Sequence, residues 1–104
     1  DTVESINADQ LMNLYDQNKD KIFDVRRKSE YSLSHIKETK NIPLSKINSE
    51  LSSSPEKNKF YLHCAGGYRS MIAASLLKSM GYHNVVDVQG GYQFICQTSI
   101  PRTN

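Results

Sequence analysis

Short apolar runs alternate with stretches of helical spacing along the chain. The runs at residues 3–6, 21–25, 60–64 and 84–88 have the length and the side chains of β-strands. An extended piece at residues 41–44 is also indicated, because Pro43 disfavours helix at the residue before it. A regular alternation of strands and helices is typical of α/β proteins. We therefore predict an α/β fold with a mostly parallel central sheet of about five strands, flanked by helices.

Five stretches between these runs are predicted to be helical. The first follows Asn7, whose side chain can cap it, and Gln10 can complete a capping box. A helical turn at residues 29–33 and brief helices at 45–51 and 92–96 are less strongly marked. Residues 70–80 are almost wholly apolar or small, so this helix is expected to be buried on most sides, with Gly81 ending it. Residues 52–55 are predicted to form a loop.

The composition is that of one small globular domain. Of the 104 residues, 38% are hydrophobic and 23% charged, and this length is enough for a single core. We predict one domain over residues 1–104; because the chain starts without Met, both processing and excision from a longer protein stay open. No apolar run approaches the ~20 residues that span a membrane, and we expect no secretory leader before the first strand. We expect a cytoplasmic protein without a membrane partner.

Charge and cysteine usage narrow the function classes. The net charge of +2 is too small to indicate nucleic acid as a partner. The basic cluster at residues 26–28 could draw a small anion to a nearby site or form a solvated strand end. Two cysteines, Cys64 and Cys96, do not make a disulfide framework, and the three histidines lack the spacing of metal ligands. We expect no metal and no cofactor.

The segment most informative about chemistry joins the third predicted strand to the long apolar helix. Cys64 ends the strand, and Gly66 and Gly67 allow the following loop to curl with its amides turned inward. The helix then directs its free N–H groups and the positive end of its dipole at the loop. Arg69 adds a permanent positive charge. These surroundings favour thiolate over thiol, so we predict that Cys64 is a nucleophile at neutral pH.

Single residues of this region allow other interpretations. A cysteine at a strand end is usually a small buried side chain, and only the glycines, the arginine and the helix start together favour a nucleophile. Cys96 is either an ordinary helix residue, which we favour, or a resolving thiol. His63 points to the opposite face from Cys64 by strand alternation, so we interpret it as structural.

Two motifs resemble those of rhodanese domains, and together they cover the chain from about residue 6 to residue 101. The first consists of Asp24-Val25-Arg26, Glu30-Tyr31, His35-Ile36 and Asn41-Ile42-Pro43-Leu44. The second consists of HCAGGYRS at residues 63–70, then Ala73-Ala74, Gly81 and Gly90-Gly91-Tyr92. Ser34 stands where the family usually has glycine, and Glu38-Thr39 where it usually has Gly-Ala. The resemblance implies the three-layer rhodanese fold.

The resemblance also implies a sulfurtransferase that works in two steps. Cys64 would attack the outer sulfur of a small anionic donor, such as thiosulfate or a low-molecular-weight persulfide, and keep that sulfur as a persulfide. An acceptor such as cyanide, sulfite or a thiol would then remove it. The loop that would cradle the outer sulfur consists of Ala65, Gly66, Gly67, Tyr68, Arg69 and Ser70.

Four side chains near this loop have distinct expected roles. Arg69 would favour an anionic donor at the mouth of the pocket. Tyr68 would either face the same mouth or pack on the loop. Asp24 and Arg26 would brace the neighbouring strand end, and a direct substrate role for them is the less favoured alternative.

Two other functions are less well supported by the sequence. Related phosphatases and arsenate reductases place five residues between cysteine and arginine, whereas four separate Cys64 from Arg69. One residue fewer removes up to ~3.5 Å of chain, so the smaller ring suits a sulfur atom better than a phosphate. A non-enzymatic docking or regulatory module of the family would commonly lack the cysteine.

The details of the second motif suggest a wider context. Residues 64–75, together with Val85-Val86-Asp87-Val88 and Gly90-Gly91, resemble the rhodanese domains attached to metallo-β-lactamase-fold persulfide dioxygenases. The resemblance therefore implies a fused or partner sulfide-oxidising enzyme.

Overall fold

Seven strands and five α-helices are found in the described parts of the chain. The computed structural model describes residues 3–51 and 58–104. The strands are β1 (Glu4–Ile6), β2 (Ile22–Asp24), β3 (His35–Ile36), β4 (Lys40–Asn41), β5 (Phe60–His63), β6 (Val85–Val88) and β7 (Arg102–Thr103). The helices are α1 (Ala8–Asn18), α2 (Lys28–Leu33), α3 (Ile47–Leu51), α4 (Tyr68–Ser79) and α5 (Gly91–Ile95).

Five of the strands form one parallel sheet in the order β1-β6-β5-β2-β4. In its centre Phe60 of β5 pairs with Val85 of β6, and Tyr61 pairs with Ile22 of β2. One core cluster joins the sheet to α3 and α4, and a second joins it to α1 and α5. The predicted three-layer α/β fold with a five-stranded parallel sheet is therefore confirmed.

Strand β5 determines the position of Cys64. All four of its residues are buried, as expected for the centre of a parallel sheet covered on both faces. Its side chains alternate between the two cores, with Leu62 in the cluster on the α4 side and Tyr61 in the cluster on the α1 and α5 side. Cys64 continues the alternation and lies in the same cluster as Leu62. The strand thus delivers Cys64 to the carboxyl edge of the sheet, on the α4 side.

The predicted capping box at the start of α1 is present. The Gln10 N–H donates to the side-chain oxygen of Asn7 at 2.9 Å, and the Asn7 N–H donates to the side-chain oxygen of Gln10 at 2.9 Å. The other helices begin within two residues of their predicted starts. The loop predicted at residues 52–55 lies outside the described residues.

The expectation that the long apolar helix is buried on most sides is wrong. The side chains that α4 packs on the sheet are Ser70, Ala73, Ala74 and Leu77. The side chains on its outer face, 37–44% exposed, are Met71, Ile72, Leu76 and Met80. Because α4 forms an outer layer, only one of its faces meets the sheet, and an apolar sequence on both faces hides this difference. Even so, no helix in the described ranges combines the length and the apolar character needed to cross a membrane.

The sequence does not predict the small antiparallel sheet of β3 and β7. Each strand has two residues, with His35 paired to Thr103 and Ile36 to Arg102, which is too short for a periodic pattern. The turn after β3 contains Glu38 at φ 66°, in the left-handed region that favours glycine. Glu38 stands where rhodanese domains usually have glycine, so the turn keeps its geometry at the cost of backbone strain at Glu38.

Candidate active site

Cys64 lies at the carboxyl edge of the sheet, where open α/β folds have their ligand crevices. It is the first residue after β5 and is only 1% exposed. The loop that it begins, residues 64–67, runs between the first residues of α4 and α5. Both helices follow a glycine in the left-handed region, Gly67 at φ 98° and Gly90 at φ 79°. The loop is therefore flanked by two helix amino ends.

Two backbone N–H groups donate to the sulfur of Cys64. The nitrogen of Gly67 lies 3.1 Å and that of Ser70 3.3 Å from Sγ, and the Ser70 hydroxyl oxygen lies 3.6 Å from it. These groups belong to the first turn of α4 or to the glycine before it, where N–H groups have no partner within the helix. Together with the helix dipole they favour negative charge on the sulfur.

Helix α5 holds the carbonyl groups of the same loop. The Tyr92 N–H donates to the Cys64 carbonyl oxygen at 2.6 Å, and the Gln93 N–H donates to the Ala65 carbonyl oxygen at 3.2 Å. Gly91 makes this approach feasible, because a Cβ there would collide with the Cys64 carbonyl and lie 2.8 Å from the Ala65 carbonyl atoms. With its carbonyls bound to α5, the loop keeps its N–H groups available to the sulfur.

The Arg69 side chain forms a bidentate ion pair with Glu30 of α2. Its nitrogens Nη1 and Nη2 lie 2.7 and 3.0 Å from the two carboxylate oxygens, and these hydrogen bonds lower the pKa of Glu30 to about 2. Glu30 therefore offsets part of the charge that was expected to attract an anionic donor. The cleft of about 620 Å³ that Arg69 lines also contains Val25, Arg27, Pro43, Leu44 and Ser45.

Two side chains around the loop are exposed to solvent. Tyr68, at the first position of α4, is 77% exposed and therefore does not pack on the loop. Arg27 of the basic cluster is also exposed, whereas Arg26 in the same cluster is buried. The cluster is thus only partly solvated.

Asp24 and Arg26 form a buried ion pair beside the end of β5. The Arg26 Nη2 lies 2.8 Å from an Asp24 carboxylate oxygen, and it also donates to the Ser34 carbonyl oxygen at 2.6 Å. The guanidinium carbon lies 4.1 Å from the centre of the Tyr92 ring. Because Asp24 is paired in register with His63, these contacts connect the end of β2 to the segment before β3 and to α5.

His63 lies on the opposite face of β5 from Cys64. Its ring stacks on Tyr92 with the centres 6.2 Å apart. The residue is 0% exposed, and its two ring nitrogens have no hydrogen-bond partner among the described residues. Burial lowers the pKa of His63, so the ring stays neutral and serves the packing of the α5 side.

Sequence reasoning misses two acidic residues at the site. Glu30 belongs to the first rhodanese motif, but its pairing with Arg69 joins positions that only the fold brings together. Asp87 of β6 is 1% exposed, and its Oδ1 has no hydrogen-bond partner among the described residues. Burial raises the pKa of Asp87. In the sequence, Asp87 is the single acid in an otherwise apolar strand. Acidic side chains are seldom fully buried unless they are paired, so this pattern could have singled out Asp87 as a residue of the site.

The second cysteine lies on the other side of the central sheet from Cys64. Cys96 follows α5 and packs against the core of the α1 and α5 side, whereas Cys64 belongs to the core of the α4 side. Both thiols are free. Within residues 3–51 and 58–104, no group of three or more His, Cys, Asp or Glu side chains is placed to hold a metal ion.

Comparisons with known proteins agree with this geometry. The model of the rhodanese-like domain family matches residues 7–97. The adenylyltransferase and sulfurtransferase uba4 of Ogataea parapolymorpha is 39% identical over 71 residues, which cover 67% of this chain and 18% of that protein. The putative sulfur carrier protein YrkF of Bacillus subtilis is 34% identical over 70 residues, covering 67% of this chain and 38% of YrkF. The chain thus spans well under half the length of these two relatives.

A solved structure extends the match to nearly the whole chain. The rhodanese-related protein of Thermoplasma volcanium superposes with a TM-score of 0.83 at 30% sequence identity, covering 96% of this chain and 97% of that one. Fold, loop geometry and sequence similarity thus agree, and the chain belongs to the family of rhodanese-like domains.

Proposed function

We propose that this domain is a sulfurtransferase that carries sulfane sulfur as a persulfide on Cys64. The observation that carries the proposal is the pair of backbone N–H groups, from Gly67 and Ser70, that converge on the Cys64 sulfur at the amino end of α4. Such donors stabilise negative charge on sulfur, both in the attacking thiolate and in a bound persulfide. The names of uba4 as a sulfurtransferase and of YrkF as a putative sulfur carrier support the same chemistry.

The reaction proceeds as two exchanges at sulfur. The Cys64 thiolate attacks the outer sulfur of the donor, a new S–S bond forms at Cys64, and the donor's own S–S bond breaks. With thiosulfate the leaving group is sulfite; with a low-molecular-weight persulfide it is a thiolate. An acceptor, such as cyanide, sulfite or a thiol, then attacks the outer sulfur and regenerates the Cys64 thiolate, which gives ping-pong kinetics.

A small anionic donor fits the charges around the cleft. Arg69 and Arg27 line it, and the only carboxylate that the structure pairs with both, among the described residues, is Glu30. The excess of one positive charge favours an anion over a neutral donor. The short spacing between Cys64 and Arg69 favours a single sulfur atom over a phosphate group, so a phosphatase is the less favoured alternative.

We also propose a cellular context for this chemistry. A domain that loads and releases sulfur needs a donor-producing reaction and an accepting thiol, and we propose that a fused or partner sulfide-oxidising enzyme supplies one of them in the cytoplasm. The relatives uba4 and YrkF are longer than this domain, which is consistent with work as one module of a larger protein.

Intact mass spectrometry tests the persulfide directly. The reduced protein is incubated with thiosulfate or with glutathione persulfide, beside the variants Cys64→Ser and Cys96→Ser. We expect the mass of the wild type and of Cys96→Ser to rise by one sulfur atom and to return to the starting value when cyanide is added, with thiocyanate released. Cys64→Ser should gain no sulfur.

The outcomes separate the proposed function from its rivals. Sulfur on the wild type but also on Cys64→Ser would assign the carrier to Cys96. No sulfur adduct with either donor would overturn the carrier mechanism and favour a docking module or a phosphatase. Hydrolysis of a phosphate monoester that depends on Cys64 would then identify the phosphatase.

A further inference from the structure

The Glu30 carboxylate is hydrogen-bonded to both arginines that line the cleft beside the Cys64 loop. Its two oxygens accept from Arg69, with Nη1 at 2.7 Å and Nη2 at 3.0 Å. One of these oxygens, Oε1, also accepts from the Arg27 backbone N–H at 3.1 Å and from Arg27 Nε at 3.4 Å. A single carboxylate is therefore the negative partner of two arginines.

The position of Glu30 is set by its own helix. Glu30 is the third residue of α2, and its side chain accepts the backbone N–H of Arg27 at the start of that helix. This is the bond that a glutamate or a glutamine makes in a capping box. The carboxylate would thus stay in place without the ion pair, and the Arg69 guanidinium is drawn toward a fixed group on a neighbouring element.

The ion pair occupies the part of Arg69 that an incoming anion would use. A guanidinium binds planar anions through two parallel N–H groups, and in Arg69 both terminal nitrogens already bond to Glu30. The Arg69 side chain is nevertheless 30% exposed. It directly precedes Ser70, whose N–H lies 3.3 Å from the Cys64 sulfur. Glu30 therefore competes with any small anion that approaches Cys64.

Glu30 also determines the charge of the cleft. Among the described residues, the rest of the cleft lining is uncharged and consists of Val25, Pro43, Leu44 and Ser45. With Glu30 in place, the three charged side chains carry a net charge of one positive unit; without it they would carry two. A difference of one charge at such short range changes the affinity for an anion several-fold, even where solvent screens it.

We propose that Glu30 is a positioning residue that sets the charge selectivity of the Cys64 site, because it holds Arg69 in a bidentate pair and so weakens the binding of small anions. The proposal deepens the proposed function and rests on it, since the selectivity concerned is that for the sulfur donor. Thiosulfate is a dianion without an apolar part, so Glu30 disfavours it. A persulfide whose organic part contacts the apolar wall of the cleft depends less on Arg69 and is the favoured donor class.

Alkylation of Cys64 tests the charge selectivity without any sulfur donor. Iodoacetate and iodoacetamide are nearly equal in size and react in the same way, but only iodoacetate carries a negative charge. The ratio of their rates therefore cancels changes in the thiolate fraction or in access to the loop. All proteins carry Cys96→Ser, so that the intact mass reports the reaction of Cys64 alone.

The variants form a series of cleft charges. Glu30→Gln, which keeps the helix cap and frees Arg69, should raise the ratio of the iodoacetate rate to the iodoacetamide rate about fivefold. Arg27→Gln removes a cation that is 80% exposed and should lower the ratio about threefold. Adding Arg69→Gln to Glu30→Gln should abolish the increase. Asp16→Asn, which removes the same charge at an exposed position of α1, is the matched control and should leave the ratio unchanged.

Sulfur donors of opposite charge test the consequence for the proposed function. Initial rates of loading are measured as a function of concentration, with thiosulfate and with cysteamine persulfide, which carries an ammonium group. Glu30→Gln should lower the apparent KM for thiosulfate about fivefold and raise that for cysteamine persulfide, with little change in the maximal rates. A general loosening of α4 would move both donors in the same direction.

The outcomes separate this inference from the proposed function. Charge-selective alkylation that follows the series, in a domain that takes sulfur from neither donor, retains the inference and removes the sulfurtransferase assignment. Sulfur loading with equal alkylation ratios in the wild type and Glu30→Gln overturns the inference alone. An increase that survives the addition of Arg69→Gln also overturns it. Should Glu30→Gln fail to fold, as judged by circular dichroism, Glu30→Asp decides, because its shorter carboxylate loosens the pair and should raise the ratio as well.

Discussion

Helices α4 and α5 begin in the same way and act on the same loop, yet they contact different parts of it. Each follows a glycine in the left-handed region. The first N–H groups of α4 meet the Cys64 sulfur, whereas those of α5 meet the carbonyl oxygens of Cys64 and Ala65. One helix amino end therefore contacts the sulfur that we propose to react, and the other fixes the direction of the peptide groups around it.

The difference shows that the free N–H groups of a helix can either bind an ionisable side chain or hold a neighbouring loop in position. Both ends satisfy the same physical requirement, because unpaired N–H groups need acceptors. The acceptor decides the role: the Cys64 sulfur in one case and backbone carbonyl oxygens in the other. If the comparison is right, damage at α5 should disturb the reaction through the position of the loop.

The largest effect is expected from Gly91→Ala, which disturbs the contact between α5 and the Cys64 loop. A Cβ at this position collides with the Cys64 carbonyl, and the backbone at φ 63° is strained for any residue but glycine. We expect the rate of sulfur loading to fall by about 100-fold, because small displacements of reacting groups have such effects. The free energy of unfolding should also fall, by about 1–3 kcal/mol from the strain alone, as measured by urea denaturation.

Gly81→Ala is the matched control for this change. Gly81 also has a positive φ, 101°, but a Cβ there meets no atom within 4 Å. It should lower the free energy of unfolding through strain alone and leave the loading rate within about twofold. Equal losses of loading in the two variants would show that α5 does not position the loop.

A smaller effect is expected from Glu30→Gln, which loosens α4 from α2 through Arg69. The pKa of Glu30 is about 2 in the folded protein against 4.5 ordinarily, so between these values the unfolded chain binds a proton that the folded chain does not. The stability from this pair is present above about pH 4.5 and is lost as the pH falls toward about 2. Allowing for partial exposure, we expect a loss of about 1–2 kcal/mol across this window.

Urea denaturation at several pH values measures this difference. Glu30→Gln should lack that part of the acid-induced loss, whereas Glu50→Gln, at an exposed position on α3, should keep the wild-type slope. A Glu30→Gln slope equal to that of the wild type would show that the ion pair does not hold α4.

The smallest effect is expected from Tyr92→Phe, which tests whether the backbone of α5 or the Tyr92 side chain positions the loop. The variant removes the hydroxyl that is bonded to the Ser34 side chain, but keeps the ring over Arg26 and the N–H bonded to Cys64. The free energy of unfolding should fall by about 0.5–1.5 kcal/mol. Sulfur loading, followed by intact mass, should stay within about twofold of the wild type. A loss of loading as large as in Gly91→Ala would show that the side chain, rather than the backbone of α5, positions the loop.

The sequence was sufficient for the parts of the site that neighbouring residues build. Seven consecutive positions contain the strand end at Cys64, the two glycines and the start of the helix. Their local conformations predict a loop whose backbone N–H groups point at the Cys64 sulfur. The capping box of α1 is found for the same reason. Resemblance to a family then extended the prediction from a reactive cysteine to sulfur chemistry.

Pairings across the fold were beyond the sequence. The partner of Arg69 lies in α2, so it can be found only by knowing which elements pack together. The hydrogen bonds from α5 to the carbonyl oxygens of the loop require a residue without a Cβ at Gly91. This close contact can be recognised only in the three-dimensional structure. The sequence does not reveal which face of α4 is exposed, because apolar residues occupy both faces of this helix.

The register of the central sheet has a consequence for how the protein folds. Its strand pairs join distant parts of the chain, such as Glu4 with Val86 and Ile22 with Tyr61. The conformational entropy of closing such long loops is lost before the strand contacts that compensate for it have formed. Helix α5, which orients the sulfur-binding loop, comes after the last strand of this sheet. We therefore expect the Cys64 loop to reach its fixed geometry only when α5 docks, after the central sheet has closed.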